Sequence, residues 1–386
     1  MMVGIMKMKY LDHGFKIIIE TFNMIAKSYI IGVVEDIDLH SITLKNKEGF
    51  LIKIEVTSEN FVFSDYFIRP KKFSKLSVSK LDIIKIEKRG GVKILFKHGS
   101  NDNLLFVTDQ CNSSCLMCSQ PPKNVDDIEY FYKINNEILS LIPKDIEVIG
   151  ISGGEPTLLG EKLNLILKRL KLEFPNTRVH ILSNGRKFFD KNYVSRLSLD
   201  INKLATFGIP LYSDIATIHD YVVQAKNAFY QTAIGLHNAA RFGLNIEIRI
   251  VITKLNYERL PKLAKYIFMN YPFVEHVAFM GVEYTGFAVV NSELIKVNPD
   301  VYMDQLKEAV LFLNSMKINT SIYNLPLCLV HRKLWPFSVK SISDWKQEYS
   351  NDCKLCEEVN ICGGFFRTSR LKYNNINPIL EKKYNE

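Results

Sequence analysis

Six times between residues 104 and 316 a short apolar run is followed by a segment of helical period, and nothing else in the chain restricts its fold so strongly. The apolar runs are 104–108, 146–152, 178–183, 204–210, 246–252 and 276–281. The helical segments are 126–142, 160–174, 190–199, 228–242, 258–270 and 301–316. In 126–142, Ile128, Phe131, Ile134, Ile138 and Leu141 fall on one face. Parallel neighbours need a long crossover, so strands separated by helices predict a parallel sheet with covering helices. The expected class is α/β, as an open doubly wound sheet or as a barrel. In either case chemistry collects at the carboxyl ends of the strands. Three unusual groups stand there: Cys111 after the first run, Gly153-Gly154-Glu155-Pro156 after the second, and Ser183-Asn184-Gly185 at the third.

The first group is Cys111-x3-Cys115-x2-Cys118. Three thiolates are one more than a redox dithiol uses and one fewer than a structural zinc site takes. Ligation by cysteine alone selects zinc, copper(I) or iron–sulfur. In a [4Fe–4S] cluster each iron takes one outer ligand, so three cysteines leave one iron open. A zinc ion completed by a distant residue is the alternative. In the second group the glycines permit close backbone approach and positive φ. Glu155 there offers a carboxylate to an ammonium group. An ordinary strand-to-helix turn would use the same residues.

In their order, gap and strand positions, these two strings resemble those of the radical S-adenosylmethionine (SAM) enzymes. Cys111, Cys115 and Cys118 match the cluster motif, and Gly153-Gly154-Glu155-Pro156 matches the motif that meets the methionine amine. Met117 stands where that family usually has an aromatic residue, and a thioether still supplies a soft apolar contact. The resemblance covers residues 102–320 and implies a partial (β/α)6 barrel of the TIM type. It implies a [4Fe–4S] cluster on the catalytic Cys111, Cys115 and Cys118, with SAM at the open iron. It further implies reductive cleavage of SAM to methionine and a 5′-deoxyadenosyl radical that abstracts hydrogen from substrate. Met117, Gly153, Gly154, Glu155, Ser183, Asn184 and Arg249 become cofactor-binding residues by this resemblance. Ser183 and Asn184 would reach the ribose or carboxylate of SAM, and Arg249 its carboxylate. An arginine facing inward from a strand needs an anion, but alternation gives the outward orientation equal weight. Met280-Gly281 would flank the adenine, and Tyr212, Ser213 and Asp214 would face substrate or cofactor.

Four more cysteines follow: Cys328, then Cys353-x2-Cys356-x5-Cys362-Gly-Gly. This is metal-ligand spacing, and a four-cysteine zinc ribbon is one reading, with His331 as a substitute ligand. The run also resembles the auxiliary-cluster extensions, of SPASM and twitch type, of peptide-modifying radical SAM enzymes. The next cysteine of the longer version would fall at Phe366 and is absent, which implies one auxiliary [4Fe–4S] cluster, with zinc as the alternative. A closer resemblance lies in Leu104 to Cys111, Cys115-Leu-Met-Cys-Ser-Gln-Pro-Pro-Lys123, Ile209-Pro-Leu-Tyr-Ser-Asp214 and Ile342-Ser-Asp-Trp-Lys346 to Cys362-Gly-Gly-Phe-Phe366. These stretches look like the C-type radical SAM maturases of the His-Xaa-Ser system. That implies a ribosomally made precursor peptide as substrate, a second radical SAM maturase as partner, and oxidative modification or cross-linking as outcome. An electron donor such as a flavodoxin or ferredoxin is implied too.

Residues 1–100 show no catalytic motif. Alternation at Ile52, Ile54, Val56, Phe61 and Phe63 reads as strand, and 83–87, Gly90-Gly91 and 92–96 read as a hairpin. The expected domains are therefore 1–100, β-rich and suited to docking; 101–320, the core barrel; and 321–386, the auxiliary-cluster region. With 386 residues, 47% hydrophobic and 24% charged, the chain can bury ample core. Its apolar runs are too short to span a bilayer, and no signal peptide is read at the N-terminus. The net charge of +9 comes from scattered lysines, so no nucleic-acid partner is expected. Seven cysteines, split three and four, suit metal-bound thiols in the cytoplasm better than a disulfide framework. Two further readings keep other classes in view: a radical enzyme acting on a small molecule or tRNA, and a non-catalytic cluster-bearing partner subunit.

Overall fold

The computed structural model describes residues 10–11, 15–16, 29–38, 41–55, 77–87, 91–343, 346–373 and 376–380. Strands β1 (Tyr29–Ile37), β2 (Ser41–Lys45), β3 (Leu51–Glu55), β4 (Ile83–Glu87) and β5 (Val92–Phe96) form an antiparallel sheet in the order β3-β2-β1-β4-β5. Alternation gives it an apolar side on which Ile30, Val34, Ile42, Leu44, Ile54, Ile84 and Ile86 are buried together. The expected hairpin is the β4–β5 pair. Val56, Phe61 and Phe63 lie outside the described residues.

The second sheet has seven parallel strands, each followed in chain order by helix until the last. They are β6 (Leu104–Phe106), β7 (Val148–Ser152), β8 (Arg178–Leu182), β9 (Ala205–Pro210), β10 (Asn245–Val251), β11 (His276–Met280) and β12 (Asn319–Tyr323). They lie side by side in sequence order. The helices are α1 (Ile128–Leu141), α2 (Glu161–Glu173), α3 (Lys191–Asp200), α4 (Ala216–Val223), α5 (Ala228–Arg241), α6 (Leu260–Asn270) and α7 (Pro299–Ser315). The six expected strand–helix units are all present, and the α/β class holds. Of the strands and helices just named, two were not read from the sequence. Helix α4 is short, and β12 is polar, with only Ile322 of its five residues buried.

Contacts group the chain into two compact units, 1–106 with 129–150 and 107–128 with 151–386. In the first, Lys85 of β4 is 3% exposed. Its ammonium donates to Glu87 Oε1 at 2.8 Å and to Tyr130 Oη of α1 at 2.7 Å, and it lies over the rings of Tyr29 and Tyr130. These partners offset the cost of burying the charge. In the second, strand alternation separates two faces. Val179, Ile181, Phe207, Ile209, Ile246, Ile248, Ile250, Val277 and Phe279 form the apolar, fully buried side. His180, Glu247, Arg249, His276 and Ser321 share the other side as one polar network. Glu247 accepts from Arg249 Nη1 at 2.5 Å and bonds His276 Nδ1 at 2.7 Å, while His276 Nε2 meets Ser321 Oγ at 2.9 Å. A Cβ on Gly208 would lie 2.8 Å from Arg249 Cδ, so glycine makes room for that arginine.

Candidate active site

The ends of β7 and β8 and the loop after β6 build the site. The loop starts on a polar clasp: Asp127 accepts from Thr108 Oγ1 at 2.6 Å and from the Asp109 amide at 2.8 Å. The chain then passes Cys111, Cys115 and Cys118, closed by a bond from the Cys118 amide to the Cys115 carbonyl at 3.0 Å. The amides of Ser114 and Leu116 donate to Val223 and Val222 at the end of α4. Met117 is buried with Leu116, Tyr212, Val222, Tyr284, Ala288 and Ile295. The three thiols feel one another electrostatically. Burial pushes Cys111 up to about 11 and Cys115 up to about 12, and raises Cys118 as well. Such thiols stay protonated on their own and ionise when a metal displaces the proton. Three thiols on one loop within electrostatic reach of one another, with no other cysteine among their interaction partners, fit a cluster that leaves one iron open.

Gly153 and Gly154 run beside the root of this loop. The Gly154 amide donates to Thr108 O and the Glu155 amide to Gln110 O, each at 2.7 Å. A Cβ on Gly154 would lie 1.9 Å from Gln110 O, and one on Gly153 2.5 Å from Thr108 O. Neither glycine has a positive φ. Their role is therefore close approach to the chain's own backbone, and the left-handed conformation allowed for in the sequence is not used.

Glu155 is fully buried and caps the turn Pro156–Leu159. Its Oε1 accepts from Thr157 N (3.0 Å), Thr157 Oγ1 (2.7 Å) and Ser183 Oγ (2.7 Å), and its Oε2 accepts from the Asn184 amide at 2.7 Å. Among the described residues no cation pairs with it. Ser183, Asn184 and Glu155 thus form one constellation. Arg249 faces the same polar side of the sheet as Glu247, which supplies the anion its inward orientation needs. Tyr212 is buried within electrostatic reach of the three thiols and of Arg249. Ser213 is buried, and Asp214 is held by a two-bond fork from Arg259 at 2.6 and 2.7 Å. Gly281 packs against Asn324, Leu325 and Tyr373.

Several supporting residues carry no motif and were not read from the sequence. Asn256, buried, donates to Tyr212 O at 3.0 Å. Gly286 lets the chain touch the carbonyls of Cys118 and Ser119, where a Cβ would lie 2.7 and 2.6 Å away. Arg186 reaches the carbonyl of Asn112 and, at 3.0 Å, Ser113 Oγ.

The other cysteines gather elsewhere. Cys328, Cys353, Cys356 and Cys362 line one small cavity with Tyr349 and Phe365. Amides donate to their sulfurs, from Leu327 and Gly364 to Cys362 at 3.4 Å and from Ile379 to Cys356 at 3.5 Å. Burial pushes Cys328 up to about 11. His331 is exposed and accepts from the Lys333 amide, so it is not among the residues lining the cavity. Residues 344 and 345 of the stretch 342–346 lie outside the described residues. Among those described, no three His, Cys, Asp or Glu side chains are grouped closely enough to share a single ion. Among the described residues no helix is long and apolar enough to cross a membrane.

Residues 105–267 match the model of the radical SAM superfamily, and this match supports an enzyme. A Pyrococcus furiosus protein named tungsten-containing aldehyde ferredoxin oxidoreductase cofactor-modifying protein is 23% identical over 279 residues, 69% of this chain and 72% of that protein. Among solved structures, Streptococcus suis SuiB bound to the precursor peptide SuiA is similar with TM-score 0.43 and 14% identity, over 57% of this chain and 47% of that one. Escherichia coli coproporphyrinogen III oxidase, HemN, gives TM-score 0.43 and 14% identity over 55% and 52%. The chain spans about half the length of these two structures.

Proposed function

Because residues 105–267 carry a radical SAM domain, we propose that Cys111, Cys115 and Cys118 hold a [4Fe–4S] cluster that binds SAM, and that the chain matures a ribosomally made peptide. The observation that carries the SAM site is Glu155, a fully buried carboxylate with four neutral donors and, among the described residues, no cation. A buried carboxylate gains most from a positive partner, and the ammonium of an amino acid is one of the right size. Once bound to Cys111, Cys115 and Cys118, such a cluster would supply the electron for reductive cleavage of SAM, and with it the hydrogen-abstracting chemistry. The chain's own residues do the rest. Glu155 receives the amine, while Ser183 and Thr157 hold the carboxylate in place. Asn184 donates its backbone amide to Glu155 and its side-chain Nδ2 to Asn112, which leaves one side-chain N–H for SAM's polar groups. Those guanidinium N–H groups of Arg249 not engaged by Glu247 are the ones open to a carboxylate. Met117 and Tyr212 keep water from the cluster side.

Cys328, Cys353, Cys356 and Cys362 are assigned to an auxiliary [4Fe–4S] cluster. Their shared cavity and the amides aimed at two of the sulfurs support this, since such N–H groups stabilise thiolate ligands and tune potential. A single zinc ion would draw four sulfurs to within about 3.8 Å of one another. The peptide substrate, its His-Xaa-Ser character, a partner maturase and a flavodoxin or ferredoxin donor rest on the sequence resemblance. So do the division at residues 100 and 320 and a docking role for 1–100. Oxygen-labile clusters favour a cytoplasmic setting. One observation favours a second reading: the Pyrococcus furiosus relative is named for cofactor modification, so a small-molecule substrate is the runner-up.

Iron, sulfide and zinc per chain after anaerobic reconstitution test the assignment. Wild type should hold about eight irons and the Cys111/Cys115/Cys118→Ala variant about four. Four irons with one zinc would make the C-terminal site a structural ribbon. With SAM and reductant, wild type should form 5′-deoxyadenosine and Cys111→Ala should not; equal yields would sink the radical reading.

A further inference from the structure

The turn after β8 touches both halves of the site. On one side, Ser183 Oγ and the Asn184 amide hold Glu155. On the other, Asn184 Nδ2 donates to Asn112 Oδ1 at 2.6 Å, and Arg186 Nη1 reaches the Asn112 carbonyl and Ser113 Oγ. Asn112 and Ser113 lie between Cys111 and Cys115. The turn itself has little freedom. Gly185 sits at φ +70, in the left-handed region that glycine tolerates. Gly235 of α5 lets the Gly185 carbonyl come so near that a Cβ would lie 2.5 Å from it. Thr232 of α5 donates to Asn184 O at 3.2 Å, and Gln231 of α5 accepts from Arg186 Nε at 2.7 Å. One planar guanidinium therefore bridges a helix and the cysteine loop.

We infer that Arg186 is a positioning residue that fixes the Cys111–Cys118 loop to the turn holding Glu155, so that the iron-binding thiols and the carboxylate meet SAM at one set spacing. This rests on the SAM site proposed above. The geometry needs arginine. Its Nε and Nη1 donate in different directions from one rigid plane, and a lysine ammonium on a flexible stem cannot serve Gln231 and the loop together. A glutamine could keep one contact but would lose the charge, which acts on Cys115. A cation near the cluster also stabilises the reduced, more negative state, so its removal should lower the reduction potential.

The test uses the full chain, first without metal and then reconstituted, as wild type, Arg186→Lys, Arg186→Gln and Gln231→Ala. In the metal-free protein, hydrogen–deuterium exchange of peptides covering 111–118 should be about tenfold faster in both Arg186 variants, with peptides of β10 and β11 unchanged. In reconstituted protein, SAM should bind about tenfold more weakly to both Arg186 variants. Arg186→Gln should also show a lower cluster potential, which Arg186→Lys should not. If Arg186→Gln exchanges fast everywhere, it has misfolded, and Gln231→Ala with Arg186→Lys decides the matter. Wild-type exchange at 111–118 in those two variants overturns the inference, whatever iron they hold. Failure of wild type to bind iron at Cys111, Cys115 and Cys118 would instead sink the SAM reading and leave the exchange result standing.

Discussion

The Asn184 amide donates to Glu155 Oε2 at 2.7 Å, so the end of the third strand of the parallel sheet fixes a carboxylate at the end of the second. Both of its oxygens face N–H or O–H donors. In Glu155→Gln one oxygen becomes an NH2 group, which then meets donors in place of acceptors. Leaving such groups unsatisfied costs about 1–3 kcal/mol. The variant should melt at a lower temperature and bind SAM at least about tenfold more weakly, since the charge that pairs with the amine is gone. Calorimetry of SAM binding to reconstituted protein checks this. Undiminished affinity would remove Glu155 from the site.

The Gly154 position tests backbone approach. A methyl group there would lie 1.9 Å from Gln110 O, so backbone must move, and it is the backbone that leads into Cys111. Overpacking of this kind costs about 1–3 kcal/mol, occasionally more. Gly154→Ala should lose stability on that scale and take up fewer irons at the first cysteine group than at the second. Gly160→Ala is the control. It meets nothing within 4 Å but has φ +56, so it should cost backbone strain without touching the iron count. Equal iron loss in the two variants would count against the close-approach account.

Most of the sheet was legible because buried strands of β/α units are short runs of Val, Ile and Phe, and these are plain in 178–183 and 246–252. Strand Asn319–Tyr323 was not, because a polar edge strand lacks the apolar run that marks its neighbours. Cys111, Glu155 and Ser183 stood out as odd residues at strand ends. Arg186, Gly286 and Asn256 did not. An arginine that clamps a loop by way of Gln231 has no spacing signature, and its partners lie 73 and 45 residues away in sequence. The orientation of Arg249 was undecided by alternation alone. Glu247, two residues before it, is on the same face of the strand and was the available signal.

Glu247 and Arg249 form a mostly buried pair, with side chains 8% and 19% exposed. Arg249 and the two histidines beside Glu247 hold its carboxyl below the usual range, against a desolvation that pushes it up. Removing one partner strands the other's charge, which costs about 3–5 kcal/mol, whereas replacing both with apolar groups of similar volume is far milder. Glu247→Leu should therefore be strongly destabilised in urea, and Glu247→Leu with Arg249→Met should recover much of the loss. A double-mutant cycle measures the coupling. Additive losses would show that the pair does not act as one unit.

His219 gives the fold a sensitivity to acid. It is 1% exposed, lies among Tyr212 and Phe229, and accepts the Tyr212 amide through Nδ1 at 3.2 Å. Burial lowers its pKa from 6.5 to about 4. In the unfolded chain the same imidazole takes a proton near 6.5, so between these values the unfolded state holds more protons and stability rises with pH. The contribution, about 3 kcal/mol, is whole above about pH 6.5 and is lost as pH falls toward 4. His219→Gln keeps an acceptor for the Tyr212 amide and removes the titration. Urea midpoints of the metal-free protein at pH 7 and pH 5 should therefore differ less in this variant than in wild type. An equal difference in both would place the acid sensitivity on other groups.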